Sequence, residues 1–115
     1  MPPVDLDAGE NSVEAGEFAR LRDSIRELVN ERGWKRRDTP KNLVMALSIE
    51  VSELMEPFQW LKTGYLNEID KEIGNVRQEM ADVLIYLIAL ADELHVDLYE
   101  CTCEKIQFIQ KKHTS

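Results

Sequence analysis

From Phe18 onward, apolar side chains recur every three or four positions and nowhere alternate in the manner of a strand. Phe18, Leu21, Ile25, Leu28 and Val29 form a first stripe, which predicts a helix over about residues 14–32. Gly33 follows Arg32, where a glycine commonly closes a helix. Thr39-Pro40 reads as an N-cap and a first helical residue, and opens a second helix with Leu43, Leu47, Leu54 and Leu61 on one stripe. Pro57 lies inside that helix and removes the N–H that would bond the Glu53 carbonyl, which predicts a kink or an early end. Thr63-Gly64-Tyr65 is a connector. A third helix, capped by Asn67 or Asp70, should run to about His95 and carry Ile73, Val76, Met80, Val83, Leu84, Leu87, Ile88 and Ala91. Gly74 weakens its first turn by about 1 kcal/mol relative to Ala. Asp97 and Glu100 give a D-x-x-E start to a fourth helix that ends near Lys112. The expected fold is therefore all-α: four helices with short connections packed as a bundle, residues 1–13 as a flexible tail and 14–115 as a single domain.

Composition narrows the function classes. The chain has 115 residues, 43% of them hydrophobic and 31% charged, the balance of a single globular domain. Its net charge is −8, from 22 acids against 14 bases. Such a surface cannot displace counterions from nucleic acid phosphates, and it is repelled by anionic membranes. The longest apolar stretch, Val83 to Ala91, falls far short of the roughly 20 residues a membrane span needs. Met1 to Ser12 has neither a basic start nor an apolar core, so no signal peptide is expected and the cytoplasm is the expected compartment. Cys101 and Cys103, two apart on a helix, point away from each other and are expected as reduced thiols. Their spacing with His95 or His113 matches no zinc finger or ribbon. A chain this short buries only about 65% of its unfolded surface, so a homo-oligomer is expected to cover the rest.

The candidate chemistry lies on the second and third helices. Glu50-Val51-Ser52-Glu53 and Glu79-Met80-Ala81-Asp82 each put two carboxylates on one helix face. Glu50 is in register with the leucine stripe, and Glu79 and Asp82 flank the apolar stripe of their own helix. If the two helices pack antiparallel, four carboxylates converge at one level. Four like charges in a partly dry cleft need a cation to stay ionised. All-oxygen ligation suits Mg²⁺ or Mn²⁺, and the lack of any Glu-x-x-His pair excludes a di-iron bundle. The competing reading is that these acids are merely solvated faces.

Three further groups bear on the chemistry, the two tryptophans lying at helix ends. An indole at Trp34 or Trp60 can stack on a nucleobase. Arg32, Lys35, Arg36, Arg37 and Lys41 concentrate positive charge in an acidic protein and can attract a polyphosphate. Tyr86, four residues after Asp82 and seven after Glu79, shares their face and can hydrogen-bond a ligand beside the metal.

Glu50-x-x-Glu53 followed by Glu79-x-x-Asp82 resembles the signature of the MazG-like all-α nucleoside triphosphate pyrophosphohydrolases. Trp34, Thr39-Pro40-Lys41-Asn42-Leu43, Phe58-Gln59-Trp60, the run from Glu79 to Leu87, His95-Val96-Asp97-Leu98 and Lys105 resemble its dCTP pyrophosphatase branch. The resemblance covers roughly residues 18–112. It implies hydrolysis of a nucleoside triphosphate to the monophosphate and pyrophosphate, and assembly as a homodimer or homotetramer. It also implies Mg²⁺ held by Glu50, Glu53, Glu79 and Asp82, with Trp34 and Trp60 in the base pocket. Lys41, Asn42, Tyr86 and Lys105 would then contact the substrate. Glu53 is the candidate to accept the proton of the attacking water. Four positions depart from the branch: Ile25 and Asp38 replace histidines, Arg37 replaces an aromatic residue, and Ile109 replaces an asparagine. The metal set is intact while the base contacts are altered, so broader base tolerance is expected. The alternative is a nucleotide-binding module of the same fold without turnover.

Overall fold

The structure, a computed structural model, describes residues 13–34 and 39–114. The expected tail and the basic positions Lys35, Arg36 and Arg37, with Asp38, lie outside the described residues. All regular structure within them is helical. Helix α1 spans Val13–Arg32 and stops at Gly33, whose φ of 67° places it in the left-handed region and whose N–H reaches the Asn30 carbonyl at 3.2 Å. Helix α2, Pro40–Gln59, begins as expected: the Thr39 hydroxyl accepts the Asn42 N–H at 3.2 Å, and Pro40 occupies the first turn. It continues past Pro57 only to Gln59, the early end expected, since the proline has no N–H to give the Glu53 carbonyl and the helix closes within a turn of it.

The single third helix expected from Asn67 or Asp70 is divided. A short α3, Leu66–Ile69, runs into a 3₁₀ turn over Asp70–Glu72, and the long α4 starts at Ile73 and ends at Glu93. Asn67 falls inside α3 and Asp70 opens the 3₁₀ turn; neither caps the long helix, which follows Glu72 with no side-chain cap. The decisive bond comes from Glu68, whose Oε1 accepts the N–H groups of Thr63 at 3.0 Å and Gly64 at 2.8 Å. That bond folds the connector onto the short helix. Helix α5, Leu98–Thr114, starts where Asp97 Oδ1 accepts the Glu100 N–H at 2.9 Å.

The core lies where α1, α2 and α4 meet. Ile25, Leu43, Ile88 and Ala89 are buried there, with Phe18, Val29, Ile85, Tyr86, Leu90 and Leu98 packed around them. Leu43 near the start of α2 meets Ile88 and Ala89 near the end of α4, so the two helices run antiparallel. The fourth long helix does not complete this packing within one chain. Tyr99 meets Phe18 with ring centroids 6.0 Å apart, but every residue from Glu104 to Lys112 is exposed. Among the described residues no helix is long and apolar enough to cross a membrane.

Candidate active site

Antiparallel packing of α2 and α4 faces Glu50 and Glu53 towards Glu79. One carboxylate oxygen from each of these three residues lies within 4.8 Å of the other two. Asp82 is outside that triad yet close enough to act on Glu50 and Glu79 through its charge. Burial raises the Glu50 carboxyl above its ordinary pKa, and repulsion from Glu53, Asp82 and Glu79 pushes the same way. Glu79 is raised for the same first reason, then by Glu53, Asp82 and Glu56. Its Oε1 is sealed from solvent and no donor among the described residues reaches it. Glu53 is close enough to share a proton with it, but only if one of the two is protonated. A group of ionised oxygens with no donor aimed at it fits a hard divalent cation, which supplies the missing positive charge through oxygen ligands.

The site extends along α4. Glu79, Asp82, Tyr86, Ala89 and Glu93 are spaced three and four apart and so share one helix face, about 21 Å long at 1.5 Å per residue. Beyond the acids, the Tyr86 ring lies parallel to Trp34, with centroids 5.9 Å apart and planes 2° from coplanar. This offset stack is a favoured aromatic geometry. Trp34 is held there by the left-handed turn at Gly33. Past it opens a small cleft with an apolar floor of Ile25, Val29, Leu43 and Ala89 and a polar rim of Arg26, Asp92 and Glu93. Lys41 and Asn42 are exposed in the first turn of α2, beside Leu43 of that floor.

Other expected site residues are not gathered by one chain. Trp60 is 84% exposed just past the end of α2. Leu43 and Trp60 are separated by about 25 Å of helix, so Trp34 and Trp60 of the same chain do not face one base. Lys105 stands on the exposed part of α5 with its ammonium 5.4 Å from the Phe108 ring centroid. Ile109 is there too, while Ile25 lines the cleft. Sequence reading missed the polar rim. Glu93 was accessible in principle, since it continues the spacing from Glu79 through Tyr86. Nothing local marks the pairing of Arg26 with Asp92, 66 positions apart.

The family model of the MazG-like family matches residues 45–114. The chain belongs to the MazG-like family. The match takes in both carboxylate pairs, Trp60, Tyr86 and Lys105. Among curated proteins, dCTP pyrophosphatase 1 of Rattus norvegicus is 37% identical over 115 residues, covering 90% of this chain and 68% of the relative. The Homo sapiens protein of that name is 34% identical, covering 91% and 68%. Among solved structures, a pyrophosphatase from Archaeoglobus fulgidus superposes with a TM-score of 0.79 at 37% identity, covering 86% of this chain and 94% of that one. The all-helical MazG-like fold expected from the sequence is therefore present in this chain.

Proposed function

We propose that this MazG-like protein is a Mg²⁺-dependent nucleoside triphosphate pyrophosphohydrolase that releases pyrophosphate and leaves a nucleoside monophosphate, with pyrimidine deoxynucleotides as its substrates. The observation that carries the reading is the convergence of Glu50, Glu53 and Glu79 oxygens, with the buried Oε1 of Glu79 reached by no donor among the described residues. The pyrophosphatase relatives support the reaction class, and the dCTP pyrophosphatases support the choice of nucleotide.

In this reading Glu50, Glu53, Glu79 and Asp82 hold the cation, with Mn²⁺ as a substitute. When bound, the cation supplies charge neutralisation for the phosphate oxygens and lowers the pKa of water at the site. The chain's own groups do the rest. Glu53 accepts the proton of the attacking water, as a carboxylate beside the reacting phosphorus. Tyr86 orients the sugar and phosphates one helical turn from Asp82. Trp34 offers a flat face to the base, and the cleft behind it receives the base edge. Lys41 and Asn42 flank that cleft and contribute charge and hydrogen bonds.

Self-association belongs to the same proposal. Trp60, Lys105 and Ile109 are exposed on their own chain and none lines the cleft beside Trp34, so a second copy is the source from which a groove would receive them. The bond cleaved is tested with a panel of canonical and 5-substituted deoxynucleoside triphosphates in Mg²⁺, scored for pyrophosphate against orthophosphate. Pyrophosphate from at least one nucleotide is expected. Orthophosphate with a nucleoside diphosphate would refute the cleavage proposed. Nucleotide binding without any turnover would favour the binding-module alternative.

A further inference from the structure

We propose that the Arg26–Asp92 ion pair is the positioning element that sets Trp34 over Tyr86, and that it thereby governs substrate affinity without taking part in the chemistry; this rests on the nucleotide reading of the groove given above. Arg26 Nε donates to Asp92 Oδ2 at 2.9 Å and Nη2 donates to Oδ1 at 2.6 Å, a two-pronged contact between α1 and the end of α4. Asp23 lies 3.6 Å from the remaining terminal nitrogen of the same guanidinium. The Asp92 side chain is half-buried at 21% exposure, while Arg26 at 45% reaches it from the exposed edge of α1.

The geometry gives the pair a task that its apolar neighbours cannot perform. Ile25 and Val29 on either side of Arg26 fix α1 to α4 by burial, which has no preferred direction. Side-chain packing sets how the two helices sit, and the ion pair adds a directional contact at the exposed edge of their interface. A bidentate guanidinium–carboxylate contact fixes both angle and register. Seven residues after Arg26 the chain turns at Gly33, and the next residue is Trp34. An error in the register of α1 is therefore passed to the indole, which lies parallel to the Tyr86 ring. Asp92 is ten residues from Asp82, about 15 Å along the helix, so the pair cannot reach the carboxylate cluster.

The test uses the full chain. With a nucleotide accepted in the panel, Asp92→Asn should raise KM roughly three- to tenfold while leaving kcat and the Mg²⁺ half-saturation within about twofold, the pattern of lost uniform binding. In a Trp60→Phe background Trp34 is the single emitter, and acrylamide quenching should rise roughly twofold when Asp92→Asn releases the indole from its stack. Arg26→Lys should reproduce both changes, because an ammonium cannot make the two-pronged contact. The exchange of Arg26→Asp with Asp92→Arg should reverse them. Unchanged KM and quenching in Asp92→Asn would overturn the proposal. So would a fall in kcat together with a loss of cooperative unfolding in both single variants, which marks a merely structural bond. If the unaltered protein releases no pyrophosphate, the nucleotide reading fails, and the quenching arm still decides whether the pair positions Trp34.

Discussion

Glu79 shows how one residue can be unfavourable for folding and useful for function. Its Oε1 is buried without a donor, and its neighbours are carboxylates. Glu79→Gln keeps the shape and removes one repelling charge. We expect metal-free stability to stay level or rise in that variant, by thermal unfolding. Turnover should fall by roughly a hundredfold or more, since even partners that merely support metal ligands cost 10- to 100-fold. The pH dependence follows from the sign of the shifts. Glu50 and Glu79 titrate higher in the folded chain than in the unfolded one. Below the ordinary carboxylate range both states are protonated and nothing is lost. As pH rises from that range through the raised native values, the unfolded state ionises first and the native state loses stability. The metal-free melting temperature should thus carry a component that falls with rising pH in this window, flattened in Glu79→Gln and removed by Mg²⁺. Glu68 has the opposite sign, because the Gly64 and Thr63 N–H groups hold its carboxyl below the ordinary range. Its stabilisation is full above the unfolded value and fades as pH falls through the lowered one, so Glu68→Gln should flatten the stability profile at the acid end.

At the level of helices, the ends are where local chemistry and packing meet. Thr39 and Asp97 cap α2 and α5 with side-chain oxygens, as their sequence positions suggest. The end of α4 is less orthodox. The Val96 N–H returns to the Ala91 carbonyl at 2.8 Å and the His95 N–H to Asp92 at 3.2 Å, closing the helix with His95 at φ 58°. That is the position glycine usually takes. The histidine's Cβ costs about 1–2 kcal/mol in this conformation, offset in part by the greater freedom glycine has when unfolded. His95→Gly should therefore stabilise the chain by about 0.5–1 kcal/mol, read from chemical denaturation with an unchanged slope. Glycine at position 33 already meets the same requirement at the end of α1, where the backbone must turn to present Trp34.

The described part of the chain is more open than a closed domain of its length. Its radius of gyration is 17.1 Å, against about 13 Å for a compact domain of this size. Val44, Met45, Ile49 and Met55 on α2, Met80 and Leu84 on α4, and Ile106, Phe108 and Ile109 on α5 are all exposed. Large apolar side chains exposed on three helices point to an interaction surface. We expect light scattering at micromolar concentration to give at least twice the chain mass of 13.3 kDa. Phe108→Glu should weaken that assembly, and with it the turnover that depends on residues reaching across from a second copy. Light scattering at the mass of a single chain, with full activity, would refute this proposal.

Legible in the sequence alone were the helical periodicity, the capped starts of α2 and α5, the glycine stop of α1 and the two carboxylate pairs, of which Glu50, Glu53 and Glu79 meet. These are local in origin: a cap needs a side chain within three positions, and a carboxylate pair needs a spacing of three. Not legible was the division of the expected third helix at Asp70–Glu72, with Glu68 in the short first piece bonded back to the connector. Nor did the sequence determine that Glu79 is the acid with the orphaned oxygen, which is decided by what α2 places opposite it. The pairing of Arg26 with Asp92 and the parallel seating of Trp34 on Tyr86 join residues far apart in the chain, and periodicity carries no information about which long-range partners meet. The separation of Trp34 from Trp60 also emerged only in three dimensions, because the length of α2 holds them apart and a linear motif gives no distance.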